Sequence, residues 1–241
     1  MKTASARLAI LQAMQKLASM GLNRGSAGNV SVRLRGNQPD SPVVSGSIAK
    51  ANAQSLNTTS NFTFLVTPSG VPTDQLAHHM MVEVNAVGEY QGEFAPSSEW
   101  RFHRDIYAAR PEIHAVVHTH APFATTLACL HKDIPPFHYM IAVAGGTTIR
   151  CAPYAIFGSQ ELSNHAVQAL EDRKACLLAN HGMIAIGKDL NDAMRVATEV
   201  ESLCEQYWRA LQLGNPVLLN DAEMSAVLDK FKTYGPNAAG K

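Results

Sequence analysis

Three features of the sequence predict an α/β fold. Helical periodicities alternate along the chain with short apolar, β-branched runs. Gly and Pro mark most of the changes from one to the other. A hydrophobic content of 46% supplies enough apolar surface for a large core. With 241 residues and no segment that reads as a linker between two cores, a single domain over residues 1–241 is expected.

Residues 4–20 read as an amphipathic helix, with Leu8, Leu11, Met14 or Gln15, and Leu17 at helical spacing and Gly21 as the stop. Gly25-Ser-Ala-Gly-Asn-Val-Ser-Val-Arg33 is a small-residue turn feeding a short strand. Residues 36–60 are rich in Ser, Asn, Gln, Ala and Pro with weak periodicity, so a long surface loop is expected. Phe62 to Val66 is a strand that runs into the turn Thr67-Pro-Ser-Gly70. A helix over 96–110 is capped by Ser97 or Ser98 and ends before Pro111. Strand 113–118 follows, then a helix from Ala121 to Leu130 with Pro122 as its start signal. Residues 140–151 hold Ala144-Gly-Gly146 and a short strand, and Ser159 opens a helix over 159–171. Residues 175–186 read as two apolar strands meeting at Asn180-His-Gly182. The helix over 191–213 aligns Val196, Val200, Leu203, Tyr207 and Leu211 and stops at Gly214-Asn-Pro216.

His118 and His120 carry the strongest chemical signal. Residues two apart in a strand face the same side, so two imidazoles project together toward one metal ion. A catalytic zinc site takes three protein ligands and leaves one position open. His181, at the turn beside Gly182, is the candidate third ligand. A lone histidine there is ordinarily a hydrogen-bonded structural residue; with His118 and His120 it completes a three-imidazole set. Glu99 lies in the first turn of the predicted helix, where the dipole favours any carboxylate. Beside a metal it can be a fourth ligand, or a general base at a carbon next to a polarised carbonyl. Ser26 to Asn29, Ser69-Gly70 and Ser97-Ser98 could cradle a phosphate through backbone N–H groups, although ordinary turns use the same residues. None of them is a Walker A or G-x-G-x-x-G segment, so nucleotide binding is not suggested.

Composition excludes several classes. Lys+Arg and Asp+Glu are both 20 and no basic tract appears, so no nucleic-acid partner is expected. A small phosphorylated ligand remains compatible, because a pocket does not need a global charge. Cys129, Cys151, Cys176 and Cys204 are widely spaced among apolar residues and read as buried, reduced thiols. Gln12, Gln15 and Lys16 interrupt the N-terminal segment, and no run is as long as a membrane span. A cytoplasmic protein without a membrane partner is expected.

The chain resembles the class II aldolase/adducin family, most closely the L-fuculose-phosphate aldolases. The resemblance rests on Gly21-Leu-Asn-Arg-Gly-Ser-Ala-Gly-Asn-Val-Ser31, Thr67-Pro-Ser-Gly70, Pro96-Ser-Ser-Glu-Trp-Arg-Phe-His103 and His118-Thr-His120. It continues through His138-Tyr-Met-Ile-Ala-Val-Ala-Gly-Gly146, Cys151-Ala-Pro-Tyr-Ala-Ile-Phe-Gly158, Asn180-His-Gly182 and Lys230-Phe-Lys-Thr-Tyr-Gly235. Each motif is short, but together they span nearly the whole chain.

The resemblance implies a three-layer αβα sandwich with a mostly antiparallel central sheet, and a homotetramer with active sites between subunits. It implies Zn2+ (Mn2+ or Co2+ are chemically acceptable) on His118, His120 and His181, with Glu99 as ligand and acid/base. It places a substrate phosphate among Asn29, Ser69, Gly70, Ser97 and Ser98. It gives Tyr139 of a neighbouring subunit the role of proton donor, and Tyr234 a closing role. The activity implied is cleavage of a deoxyketose 1-phosphate, such as L-fuculose 1-phosphate, to dihydroxyacetone phosphate and a small aldehyde. Aldolases for 5-deoxyribulose or methylthioribulose 1-phosphate, a dehydratase and a pentulose-phosphate epimerase share the family; a non-catalytic adducin-like module is the other class. The segment 37–60 is longer than the hairpin expected of the fuculose-phosphate subgroup and reads as a surface insertion. Ala121-Pro-Phe-Ala-Thr also departs from that subgroup, which bears on the sugar more than on carbon–carbon cleavage.

Overall fold

The computed structural model describes residues 3–34 and 62–233. The expected insertion at 37–60 and Tyr234 lie outside the described residues. Seven strands form one sheet: β1 (Asn29–Leu34), β2 (Thr63–Val66), β3 (Val82–Asn85), β4 (Ala115–Thr119), β5 (Arg150–Ala152), β6 (Ala175–Leu178) and β7 (Gly182–Gly187). Their order is β3-β2-β1-β4-β7-β6-β5. Every neighbouring pair is antiparallel except β5 with β6. The sheet is thus mixed and mostly antiparallel, as the resemblance implies.

Strand alternation makes two cores. On one face Val30, Val32, Leu65, Ala115, Val117, Leu177, Met183 and Ala185 point to helices α1 (Thr3–Ser19), α3 (Pro122–Ala128), α5 (Leu190–Leu213) and α6 (Asp221–Phe231). On the other, Phe64, Val66, Val116, Cys176, Ile184 and Ile186 meet α2 (Trp100–Ala109) and α4 (Gln160–Ala169). Helices on both faces give the three-layer αβα architecture.

Most boundaries follow the sequence signals. Ser159 caps α4, accepting from the Leu162 N–H at 3.1 Å, and Pro122 opens α3. In α1 the buried stripe is Ala6, Ile10, Ala13, Met14 and Leu17, whereas Leu8 is exposed. The alanines choose that face, since their small side chains let the helix sit close to β1. Neither Ser97 nor Ser98 caps α2, because the helix begins at Trp100 with Glu99 in the cap position. The Ser97 hydroxyl instead accepts from the Glu99 N–H at 3.3 Å, in the turn before the helix. Tyr139–Ala144 is a 3-10 helix, which leaves Tyr139 about half exposed rather than buried in a strand. Cys176 and Cys204 are buried as expected, but Cys151 is half-buried and Cys129 exposed; all four are free. Strand β3 and helix α6 are additional to the elements expected from sequence. Four residues at the sheet edge are too few for a periodic signal, whereas α6 carries a legible capping box between Asn220 and Glu223.

Candidate metal-binding active site

The site lies where β4, the β6–β7 turn and the start of α2 come together. His118 is near the end of β4, paired across β1 with Asn29 and across β7 with Ile184. Its Nδ1–H donates to the Met183 carbonyl at 2.9 Å. His120 follows the last residue of β4, and the Asn23 Oδ1 accepts from its backbone N–H at 3.2 Å. His181 is held by a turn in which Asn180 takes a left-handed conformation (φ 52°) and accepts a side-chain hydrogen bond from the His131 ring. Gly182 is needed for close approach: a Cβ there would lie 2.4 Å from the Thr119 carbonyl oxygen and 3.1 Å from His120 Cδ2.

The three imidazoles converge. Their ligand nitrogens lie within 4.8 Å of one another, with His118 Nε2 and His120 Nε2 3.1 Å apart. Glu99 closes the cluster, Oε2 at 3.2 Å from His118 Nε2 and Oε1 at 3.3 Å from His181 Nε2. Burial lowers the pKa of all three rings, His118 to about 3 and His181 to about 4, with neighbouring imidazoles adding to the effect at both. The rings are therefore neutral at pH 7 and offer lone pairs. Glu99 is buried, and its Oε1 receives no hydrogen bond. A compact group of neutral nitrogens around a buried carboxylate, with one oxygen lacking a donor, fits a divalent cation by its donor chemistry.

Asn29 lines the cavity and also backs Glu99. Its Nδ2 donates to Glu99 Oε2 at 2.8 Å, and its Oδ1 is 2.5 Å from His103 Nε2. All the residues expected to bind phosphate line one cavity of about 330 Å³, together with Ser26 to Gly28, Glu99, His120 and His181. Pairing of segments 67–69 and 95–97 uses the Ser69 and Ser97 N–H groups, donated to Ala95 and Thr67 carbonyls. A Cβ at Gly158 would meet the Ser98 carbonyl at 2.7 Å, so loop 153–158 lies directly over that turn. This loop adds Tyr154 and Phe157 to the cavity, exposed aromatic residues that the sequence reading did not single out. Tyr139 does not line its own chain's cavity; it stacks on His138 with ring centroids 4.8 Å apart. Larger cavities beside β3 and between α1 and α5 hold no comparable group of metal-binding side chains among the described residues.

Residues 8–208 match the family model for the class II aldolase and adducin N-terminal domain. The chain belongs to this family. It is 49% identical over 232 residues to the 5-methylthioribulose-1-phosphate/5-deoxyribulose-1-phosphate aldolase of Rhodospirillum rubrum, covering 96% of this chain and 93% of that protein. It is 41% identical over 227 residues to the L-fuculose phosphate aldolase of Escherichia coli, covering 94% of each. A solved L-fuculose 1-phosphate aldolase structure superimposes with a TM-score of 0.81 at 35% identity, covering 95% of this chain and 96% of that one. In this class II aldolase-family chain, no described helix is long and apolar enough to cross a membrane.

Proposed function

We propose that this chain is a zinc-dependent aldolase that cleaves a 5-deoxyketose 1-phosphate to dihydroxyacetone phosphate and a small aldehyde. The observation that carries the reading is the convergence of His118, His120 and His181 with Glu99 beside a cavity of about 330 Å³. The substrate assignment leans on the 49% identity to an aldolase for 5-deoxyribulose and 5-methylthioribulose 1-phosphates. L-Fuculose 1-phosphate is the second reading, favoured by the 41% identical relative.

His118, His120 and His181 would hold the cation, with Glu99 as a fourth ligand before substrate arrives. Bound there, the cation supplies a Lewis acid for negative charge on the ketose oxygens. The Glu99 carboxylate then moves the proton at the carbon that loses its bond to the aldehyde fragment. Phosphate binding falls to Ser97, Ser98, the Ser69 hydroxyl and the Gly70 N–H, with Asn29 at the base of the cradle. Tyr154 and Phe157 present apolar surface suited to a deoxy or methylthio end. Tyr139 is exposed and away from its own cavity, so it can donate a proton only to a neighbour's site. That favours sites shared between subunits, the arrangement of the proposed homotetramer.

The test is incubation of the zinc-loaded protein with 5-deoxyribulose, 5-methylthioribulose and L-fuculose 1-phosphates, with dihydroxyacetone phosphate trapped by a coupled reductase. Cleavage of the first two ahead of the third is expected. Absence of triose phosphate from all three overturns the reading. In that event a full complement of bound zinc would leave a dehydratase or epimerase of this family, and its absence the non-catalytic module.

A further inference from the structure

We propose that His103 is a positioning residue which, through Asn29, holds the Glu99 carboxylate against the three imidazoles. This rests on the reading of Glu99 as metal ligand and proton carrier. Strand β1 and helix α2 meet along a polar seam inside an otherwise apolar core. Glu99, His103 and Tyr107 are spaced four apart and share one helical face. Asn29 and Ser31 are two apart and share one strand face. The two sets interleave: Tyr107 Oη to Ser31 Oγ at 2.8 Å, Ser31 Oγ to His103 Nδ1 at 2.6 Å, His103 Nε2 to Asn29 Oδ1 at 2.5 Å, and Asn29 Nδ2 to Glu99 Oε2 at 2.8 Å. All five residues are buried, and Ser31 and His103 are at 0% exposure.

The proton positions follow from the carboxylate end. An ionised carboxylate only accepts, so the amide nitrogen of Asn29 faces Glu99 and its oxygen faces His103. His103 Nε2 therefore carries the proton. Burial holds the His103 pKa well below the ordinary histidine value, so its Nδ1 is a lone pair. Ser31 donates to that nitrogen and accepts from Tyr107. Every donor points toward Glu99. Without the His103 N–H, the Asn29 oxygen would be buried without a donor, and the amide would be held at its Glu99 end alone. It would then be free to tilt, and Glu99 would lose the fixed hydrogen bond that sets its orientation. His103 lies one turn into α2, the helix with Glu99 at its cap position, so the acid/base group and its support share one element.

The test compares His103→Gln, His103→Asn and His103→Phe in the full-length protein. Gln places an N–H near the position of Nε2; Asn reaches only the Nδ1 position; Phe keeps a ring and offers neither. Zinc affinity by chelator competition, kcat and KM separately, and melting temperature are measured. The Gln variant is expected to stay close to wild type. The Asn and Phe variants are expected to lose about ten-fold or more in zinc affinity and to lower kcat with KM little changed. If the Phe variant fails to fold, the contrast of Gln with Asn decides. Equal losses in Gln and Asn, or folded variants with wild-type affinity and kcat, overturn the inference alone. A wild-type chain that binds no divalent ion overturns it together with the proposed function.

Discussion

His118 Nδ1 donates a 2.9 Å hydrogen bond to the Met183 carbonyl, across the pairing of β4 with β7. A carbonyl oxygen cannot donate, so the proton is on Nδ1 and the lone pair on Nε2. Nε2 is the nitrogen that faces His120 and Glu99. The tautomer required of a metal ligand is thus set by a side-chain hydrogen bond to a strand carbonyl before any ion binds.

His118→Ala should abolish metal binding and cleavage together. The substitution removes the ring that both Glu99 and His120 face, and leaves two imidazoles. Metal analysis and the coupled assay on the folded variant check it. A wild-type metal content would place the ion elsewhere.

Glu99→Gln keeps size and hydrogen-bonding capacity but removes the charge. Turnover should fall by about 10²–10⁴-fold while a phosphate-bearing inhibitor still binds. Retention of full turnover would assign the proton to another group.

Acid should destabilise the metal-free protein well before its carboxylates titrate. His118 and His181 stay neutral in the fold down to about pH 3 and 4, against an ordinary histidine value of 6.5. Below that value the unfolded chain binds protons that the folded chain does not. Stability is therefore full above about pH 6.5 and declines toward about pH 4, by up to about 1.4 kcal/mol per pH unit for each histidine. Added zinc should raise the melting temperature, and that gain should shrink over the same window because protons compete for the imidazoles. Melts of chelated and zinc-loaded protein across this range measure both effects; an apoprotein curve independent of pH would contradict neutral, buried rings.

Tyr139→Phe should slow cleavage by about 10²-fold in a protein whose oligomeric state is unchanged. Size-exclusion chromatography with light scattering separates the two readouts. An unaltered rate would take the hydroxyl out of the reaction.

Gly182→Ala should cost about 1–3 kcal/mol of stability and weaken zinc binding, because the added methyl meets the Thr119 carbonyl at 2.4 Å. Relief of that contact would displace the turn that carries His181. Denaturant unfolding and chelator competition report the two effects; wild-type values for both would show that the turn gives way freely.

The glycine also illustrates how far local reading goes. Gly182 is identifiable from sequence as a position that wants no side chain, and the natural inference is backbone conformation. In the fold the left-handed residue is Asn180, and Gly182 is needed because another strand end passes close by. Glu99 shows the same limit. Its place in the predicted first turn is explained equally by the helix dipole and by a metal, whereas it sits at the cap position with its carboxylate buried. His103 and Tyr107 read as part of a buried helical stripe, with no local sign of what would satisfy their polar atoms.

By itself the sequence determined the α/β class, most helix and strand positions, the pairing of His118 with His120, and the motifs of family membership. Those properties are encoded in periods, caps and short spacings, which act over a few residues. Only the tertiary structure decided that His181 and Glu99 join the pair, that Asn29 backs the carboxylate, and that Tyr139 leaves its own cavity. Such contacts join residues dozens of positions apart. They depend on sheet order and strand register: a single-residue slip of β1 would send Asn29 to the opposite face.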